Sequence, residues 1–418
     1  MGRLFGTDGV RGIANKDLTN ELALSIGKAA AKVLAGELGR KPTVLIGKDT
    51  RASGDMLEAA LTAGLCAVGA NVLSVGVVPT PAVAYLIGRY GCDAGEHPQA
   101  ADSVGINVYK MRYAGVMISA SHNPCEYNGI KIFQSTGYKL DDAIEEEIEA
   151  IILDGAEEIP EKLGGDVGNR LYCKTAVEDY VRHVVDTADV RFDGLNIALD
   201  CANGSASVCA KQIFTALGAR CYMLSDTPDG VNINDHCGST HPEELMQFVT
   251  DNGLDLGLAF DGDADRMLAV DENGQLVDGD KVIAICAKRM LDEGTLAKNT
   301  AVVTVMSNMG FFKFCEENGI ACEKTAVGDR YVLERMLQKG YNIGGEQSGH
   351  VIFLDYATTG DGELSGVQLL KTVVKSGKKL SQLAKIMTVY PQVLINVQVT
   401  PEGKQKYNND EYIISAVQ

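Results

Sequence analysis

The sequence predicts an α/β protein of three similar α/β domains with mixed, mostly parallel sheets, plus a small C-terminal α+β domain that reads as truncated. Three observations support this. One order of local signals recurs three times, the 418 residues exceed what a single hydrophobic core commonly holds, and the pattern changes after Tyr390-Pro391.

The first unit begins with an apolar strand run at 43–47 (TVLIG), followed by a polar loop at 48–54 and a helical stretch to Val68. Gly69-Ala70 then punctuates the chain before a strand at 71–73. The order returns as strand 196–200, loop 202–205, helix to Leu217, Gly218-Ala219 and strand 220–224. It returns again as strand 302–305, loop 307–310, helix to Asn318, Gly319-Ile320 and strand 321–325. Apolar strands joined by helical crossovers imply mostly parallel sheets covered on both faces. The plainer alternative is that any α/β chain shows such units. In either case ligand loops are expected at the C-terminal ends of the strands. The stretch 392–399 reads as the first strand of something new, and the chain stops inside the helix-like stretch that follows. The expected domains are therefore 1–172, 173–275, 276–388 and an incomplete 389–418.

Composition narrows the function. A formal net charge of −18 repels polyanions and argues against a nucleic-acid surface, so a phosphorylated ligand needs a local cluster of Arg and Lys. The eleven cysteines are odd in number, sit in apolar runs and form no CxxC pair, which fits reduced thiols in a cytoplasmic protein. No signal-peptide core is visible at the start, and Gly6 breaks the myristoylation pattern. Residues 61–88 carry no charge, yet Asn71, Pro79, Pro81 and several glycines cut them into a helix end, a strand, a turn and a new helix, so no membrane span is expected. The sequence leaves the oligomeric state open, with a homodimer as one option.

Two segments point to chemistry. Ser121 stands in Ala120-Ser121-His122-Asn123-Pro124 after the apolar run Val116-Met117-Ile118, and its hydroxyl can carry a phosphoryl group. Pro124 biases Asn123 to an extended conformation and halts any immediate helix. Alone, such a serine is more often an ordinary turn former. Its weight comes from Lys131 ten positions on and from Asp261-Gly262-Asp263-Ala264-Asp265-Arg266 far downstream. In an extended loop the alternating Asp261, Asp263 and Asp265 converge on one side, and a hard divalent cation such as Mg²⁺ resolves their repulsion. An EF-hand reading finds Glu272 at its twelfth position. It fails because Arg266 stands where glycine is needed and the flanks 256–260 and 267–270 look like strands. A solvated acidic turn is the remaining alternative.

Gly344-Gly345-Glu346-Gln347-Ser348-Gly349-His350 is a glycine-rich loop dense in hydrogen-bonding side chains, suited to sugar hydroxyls or an amine, though weak evidence alone. The same holds for Gly6–Gly12 (GTDGVRG) and 327–331 (VGDRY). No Walker A motif or dinucleotide GxGxxG is present, so nucleotide use is not indicated.

In this order, GTDGVRG, GKDTRASG, SASHNP, DGDADR, VGDRYV and GEQSGH resemble the α-D-phosphohexomutase superfamily over nearly the whole chain. GTDGVRG together with GEQSGH looks most like its amino-sugar branch. The resemblance implies a heart-shaped enzyme of three similar α/β domains and a smaller fourth. Ser121 would be the phosphoserine and a metal ligand, with Asp261, Asp263 and Asp265 the other Mg²⁺ ligands. Arg266 would steady the phosphoserine loop; Glu346, Ser348, His350, Arg266 and Arg330 would contact substrate; Arg11, Lys131 and His350 would transfer protons or stabilise charge. The implied reaction converts glucosamine 6-phosphate to glucosamine 1-phosphate through a bisphosphorylated intermediate, for amino-sugar nucleotide and cell-wall synthesis. The same fold acting on mannose or glucose phosphates is the near alternative.

Two departures from the family pattern stand out. Residues 96–115 intervene where relatives pass directly into the strand at Val116, and Val104, Ile106 and Val108 alternate like an added edge strand. The serine- and threonine-rich loop with an arginine that grips the substrate phosphate in the family's fourth domain has no counterpart before Gln418. A protein that binds sugar phosphate without turning it over is the corresponding alternative.

Overall fold

The computed structural model describes residues 3–6, 8–38, 42–91, 113–393, 398–400, 403, 406 and 410–417. The expected added strand at 104–108 lies outside them, as does most of the 96–115 segment. Described residues 391–393 and 398–400 are irregular, so the strand expected over 392–399 is not seen in its described part.

Strands β1 (Val10–Ile13), β2 (Thr43–Lys48), β3 (Asn71–Val77), β4 (Tyr113–Ile118), β5 (Tyr127–Phe133) and β6 (Arg170–Tyr172) form a sheet in the order β1-β5-β4-β2-β3-β6. Its β4-β2-β3-β6 part is parallel, while β1 and β5 are added antiparallel. Strands β7 (Asn196–Asp200), β8 (Arg220–Leu224), β9 (Leu256–Phe260), β10 (Met267–Asp271) and β11 (Leu276–Val277) form the second sheet, ordered β11-β10-β9-β7-β8. This sheet runs to Val277, two residues past the boundary expected at 275. Strands β12 (Thr300–Thr304), β13 (Ala321–Thr325), β14 (Ile343–Gly345) and β15 (Val351–Phe353) form the third, ordered β13-β12-β14-β15.

Each recurring sequence unit is a parallel pair: β2 with β3, β7 with β8, and β12 with β13. The third begins at Thr300 and ends at Thr304, because Val305 has already turned to solvent. The uncharged stretch 61–88 is divided as expected among the helix Ser53–Ala67, β3 and the helix Thr80–Gly91. No helix among the described residues is long and apolar enough to cross a membrane. The ten described cysteines carry free thiols.

One apolar core runs from Val83, Ile87 and Tyr90 through Phe214 and Phe260 to Phe311 and Leu369, joining the three sheets; a second, with Ile26, Leu61 and Ile118, covers the other face of the first sheet. The loops after β2, β4, β9 and β14 leave the C-terminal ends of their strands and meet in one place.

Candidate active site

Ser121 is the third residue after β4 and adopts the left-handed conformation, with φ 52°. That conformation is uncommon for a residue with a Cβ, so the surroundings must impose it. The Ser121 N–H donates to Ser119 Oγ at 2.9 Å. Its carbonyl accepts from Arg51 Nη2 and Asn234 Nδ2, both at 2.9 Å, and the Asn123 carbonyl accepts from the same two side chains at 2.8 and 3.1 Å. Arg51 is itself buried and fixed by Asp49 at 2.9 Å, and Ser119 Oγ donates to that carboxylate at 2.6 Å. The buried Ser121 hydroxyl then donates to Asp261 Oδ2 at 2.6 Å.

Asp261, Asp263 and Asp265 are buried, and one carboxylate oxygen from each lies within 4.8 Å of the others. The convergence has a different cause from the one expected. The loop is a tight turn, with Ala264 at φ 56° and its N–H donating to Asp261 O at 3.0 Å, and not an extended strand with alternating sides. Gly262 allows the serine loop to come close: a Cβ there would stand 2.6 Å from Ser121 O and 2.8 Å from Asn234 Nδ2.

Burial, with Asp265 and Asp263 nearby, pushes Asp261 up to about 8. Burial opposes ionisation of Asp265 as well, but His350 and Lys131 hold it well below the usual carboxylate range. The Lys131 ammonium lies 2.7 Å from Asp263 Oδ2, 3.3 Å from Asp8 and 3.7 Å from Asp265. Burial would discharge Lys131, yet these three carboxylates keep it more firmly protonated than an ordinary lysine. Such a cluster fits a hard cation on two grounds. All its donors are oxygen, and Asp263 Oδ1 and Asp265 Oδ1 are buried with no hydrogen-bond partner.

Arg266 reaches back to the serine loop, its Nη1 lying 3.2 Å from His122 Nδ1. Burial, helped by Arg266 and Arg11, lowers the His122 pKa, so its neutral ring accepts that hydrogen bond. Arg11, on β1, is paired with Asp8. His350 is buried, with Nδ1 3.6 Å from Asp265 Oδ1 and Nε2 3.2 Å from the Gly360 nitrogen. Glu346 accepts from the Gly328 N–H at 3.1 Å, and Ser348 is exposed.

Arg330 stands apart from the triad. Its side chain is held by Glu334 at 2.9 Å and by Asp142 of the first unit, so it lines a cleft of about 230 Å³ beside Tyr138 and Lys139. The expected site residues Ser121, Asp261, Asp263, Asp265, Lys131, Arg266, Arg11 and His350 are brought together around the triad; Arg330 is not.

Sequence reasoning missed Arg51, Asn234, Thr80 and the bridge in which Lys139 Nζ contacts Asp8 at 2.6 Å and Asp329 at 2.7 Å. Arg51, Asp8 and Asp329 do lie inside the quoted motifs GKDTRASG, GTDGVRG and VGDRYV. Asn234 (in Asn232-Ile233-Asn234) and Thr80 (between two prolines) carry no local sign of a partner more than 100 residues away.

Family models described as phosphoglucomutase/phosphomannomutase alpha/beta/alpha domains I, II and III match residues 2–158, 178–274 and 278–390. The chain belongs to this family. A phosphoglucosamine mutase of Ruminiclostridium cellulolyticum is 54% identical over 413 residues, covering 99% of this chain and 88% of that protein. One from Clostridium novyi is 52% identical over 417 residues, covering 100% and 88%. A solved phosphoglucomutase/phosphomannomutase family protein from Burkholderia thailandensis matches with a TM-score of 0.77 at 27% identity, over 94% of this chain and 80% of that one. The fold also matches an Aspergillus fumigatus N-acetylphosphoglucosamine mutase solved with GlcNAc-6P and magnesium, at TM-score 0.53 and 16% identity over 86% and 68% of the two chains.

Proposed function

We propose that this chain is an isomerase that interconverts glucosamine 6-phosphate and glucosamine 1-phosphate, with Ser121 as the phosphoserine. The carrying observation is that the Ser121 hydroxyl, held in a left-handed turn, meets the buried aspartate triad at 2.6 Å. The relatives named phosphoglucosamine mutase support the choice of sugar.

In the forward direction the free sugar hydroxyl attacks the phosphorus of phosphoserine, the bond from phosphorus to Ser121 Oγ breaks, and the proton lost by the sugar hydroxyl ends on Ser121 Oγ. The bisphosphorylated sugar turns around, and Ser121 Oγ takes the other phosphoryl group back. Asp261, Asp263, Asp265 and Ser121 would hold Mg²⁺, which when bound offsets charge on the transferring group. Lys131, locked as a cation, stabilises charge and is a poor proton acceptor. Arg11 adds positive charge on the same side, and His350 holds Asp265 from behind. Glu346 and Ser348 offer acceptors and a hydroxyl to the sugar, and Arg266 steadies the serine loop through His122.

We assign the domains as 1–172, 173–277, 278–388 and 389–418, on the grounds that each of the first three contains one sheet. The free thiols support a cytoplasmic setting. The partner is a small sugar phosphate, with no nucleic acid or membrane.

Intact-mass analysis of active protein is expected to show one phosphate on Ser121, and Ser121→Ala to abolish turnover. Active protein without phosphate, or an active Ser121→Ala variant, overturns the proposal. Competition among glucosamine, glucose and mannose phosphates is expected to favour the amino sugar.

A further inference from the structure

We infer that Thr80 is a positioning residue that selects which oxygen of Asp263 faces the cation. The inference rests on the triad being the metal site.

Thr80 opens the helix Thr80–Gly91 in the first unit and has no exposed surface. Its Oγ1 donates to Asp263 Oδ2 at 2.6 Å, and its backbone N–H donates to Asp263 O at 2.9 Å. Lys131 Nζ donates to the same Oδ2 at 2.7 Å. Oδ2 therefore takes two strong donors, while Oδ1 is buried with no hydrogen-bond partner. A native fold rarely buries a carboxylate oxygen unpaired unless something outside the protein completes it. The division of labour follows: Oδ2 is the anchor and Oδ1 is the ligand.

The two hydrogen bonds from Thr80 form a clamp on one residue, one on the main chain and one on the side chain, so they fix both the position of Asp263 and the rotation of its carboxylate. Pro79 and Pro81 flank Thr80 and restrict its backbone, which keeps the clamp in place. The clamp also places the positive end of a helix of twelve residues against the acidic loop, which favours ionised carboxylates there. Without the hydroxyl, Asp263 keeps the Lys131 ammonium as its side-chain donor. Its carboxylate is then free to rotate and to present both oxygens to the lysine. Groups that orient a metal ligand from behind in this way typically change metal affinity by about 10- to 100-fold.

The test is Mn²⁺ binding to the purified full chain in the absence of sugar, read by isothermal titration and by the Mn²⁺ electron paramagnetic resonance signal. It compares wild type, Thr80→Val, Thr80→Ser and Asp263→Asn. Thr80→Val, which keeps the volume and removes the hydroxyl, is expected to weaken binding by about 10- to 100-fold, and Thr80→Ser to stay within about threefold of wild type. Wild-type affinity in Thr80→Val overturns the inference while leaving the metal site standing. Loss of discrimination between wild type and Asp263→Asn overturns the metal reading itself. If Thr80→Val does not fold, Thr80→Ser and Thr80→Ala carry the same comparison: equal affinity in those two overturns the inference, and a weaker alanine variant supports it.

Discussion

The Ser121 loop and the Glu346–His350 loop both leave the C-terminal end of a sheet strand, yet they present their side chains differently. Around Ser121 the backbone is buried, left-handed and held at both the N–H and the carbonyl by Ser119, Arg51 and Asn234. In the other loop the backbone is held too, by Glu346 N–H on His350 O at 3.0 Å and Gly349 N–H on Glu346 O at 3.1 Å, but the half-buried Glu346 side chain takes one backbone donor at 3.1 Å and Ser348 faces solvent. On the function proposed above, the group that exchanges phosphate is set before substrate arrives, and the side chains offered to the sugar are left open to it. A preset group costs no reorganisation during the reaction, whereas a recognition group must release its ligand.

The largest break in this contrast is expected from Gly262→Ala. The new methyl would press on Ser121 O and Asn234 Nδ2 and push the serine loop off the triad. Displacements on this scale cost on the order of 100-fold in kcat, measured by steady-state assay with thermal unfolding as a control. Asn234→Ala comes next. It removes a donor shared by two carbonyls but leaves Arg51 in place, so kcat is expected to fall about tenfold with little change in KM. Equal changes in both constants would remove Asn234 from the positioning role.

Ser348→Ala sharpens the comparison from the open side. A lost hydrogen bond to substrate is worth about 2- to 10-fold in KM, with the unfolding temperature unchanged because the residue is exposed. A fall in stability would show that this loop is structural after all.

The smallest effect concerns the support behind the metal loop. Asp361 caps the helix Gly362–Ser376, whose Gly362 N–H donates to Ala264 O at 2.9 Å. Tyr180 OH donates to Asp361 at 2.9 Å and to Glu363 at 3.2 Å. Burial raises Glu363 to about 8 and Asp361 to about 7. Because the folded values are raised, the stability linked to these protons is present in full below the ordinary carboxylate range. It is lost as pH rises through about 7 to 8. Glu363→Gln is expected to flatten the decline in unfolding temperature between pH 5 and pH 8. An unchanged slope would remove Glu363 from that linkage.

Much of the fold was legible because its signals are local. A short apolar strand, a polar loop and a helix ending at glycine occur within about 35 residues, and all three such units became parallel pairs. The antiparallel additions were not legible. A two-residue strand such as β11 has no periodicity, and β1 finds β5 more than 100 residues away. In the site, the triad and Ser121 were visible as motifs, but the reason given for the convergence of the aspartates was wrong. Alternation in an extended loop is a property of local spacing; the turn at Ala264 is set by contacts with Gly362 and Asp261. Arg330 shows the converse, since a motif residue was turned toward Asp142 by an ion pair its own neighbourhood does not announce.

By itself the sequence determined the three strand–helix–strand units, the alternating aspartates and the serine three positions before a proline, because residue type and short-range spacing suffice for these. Only the tertiary structure decided that Ser121 Oγ meets Asp261, that Arg51 and Asn234 hold the loop left-handed, and that Thr80 takes one oxygen of Asp263. Those contacts join residues 70 to 183 positions apart, and at such separations the packing of three sheets around one core chooses the partners.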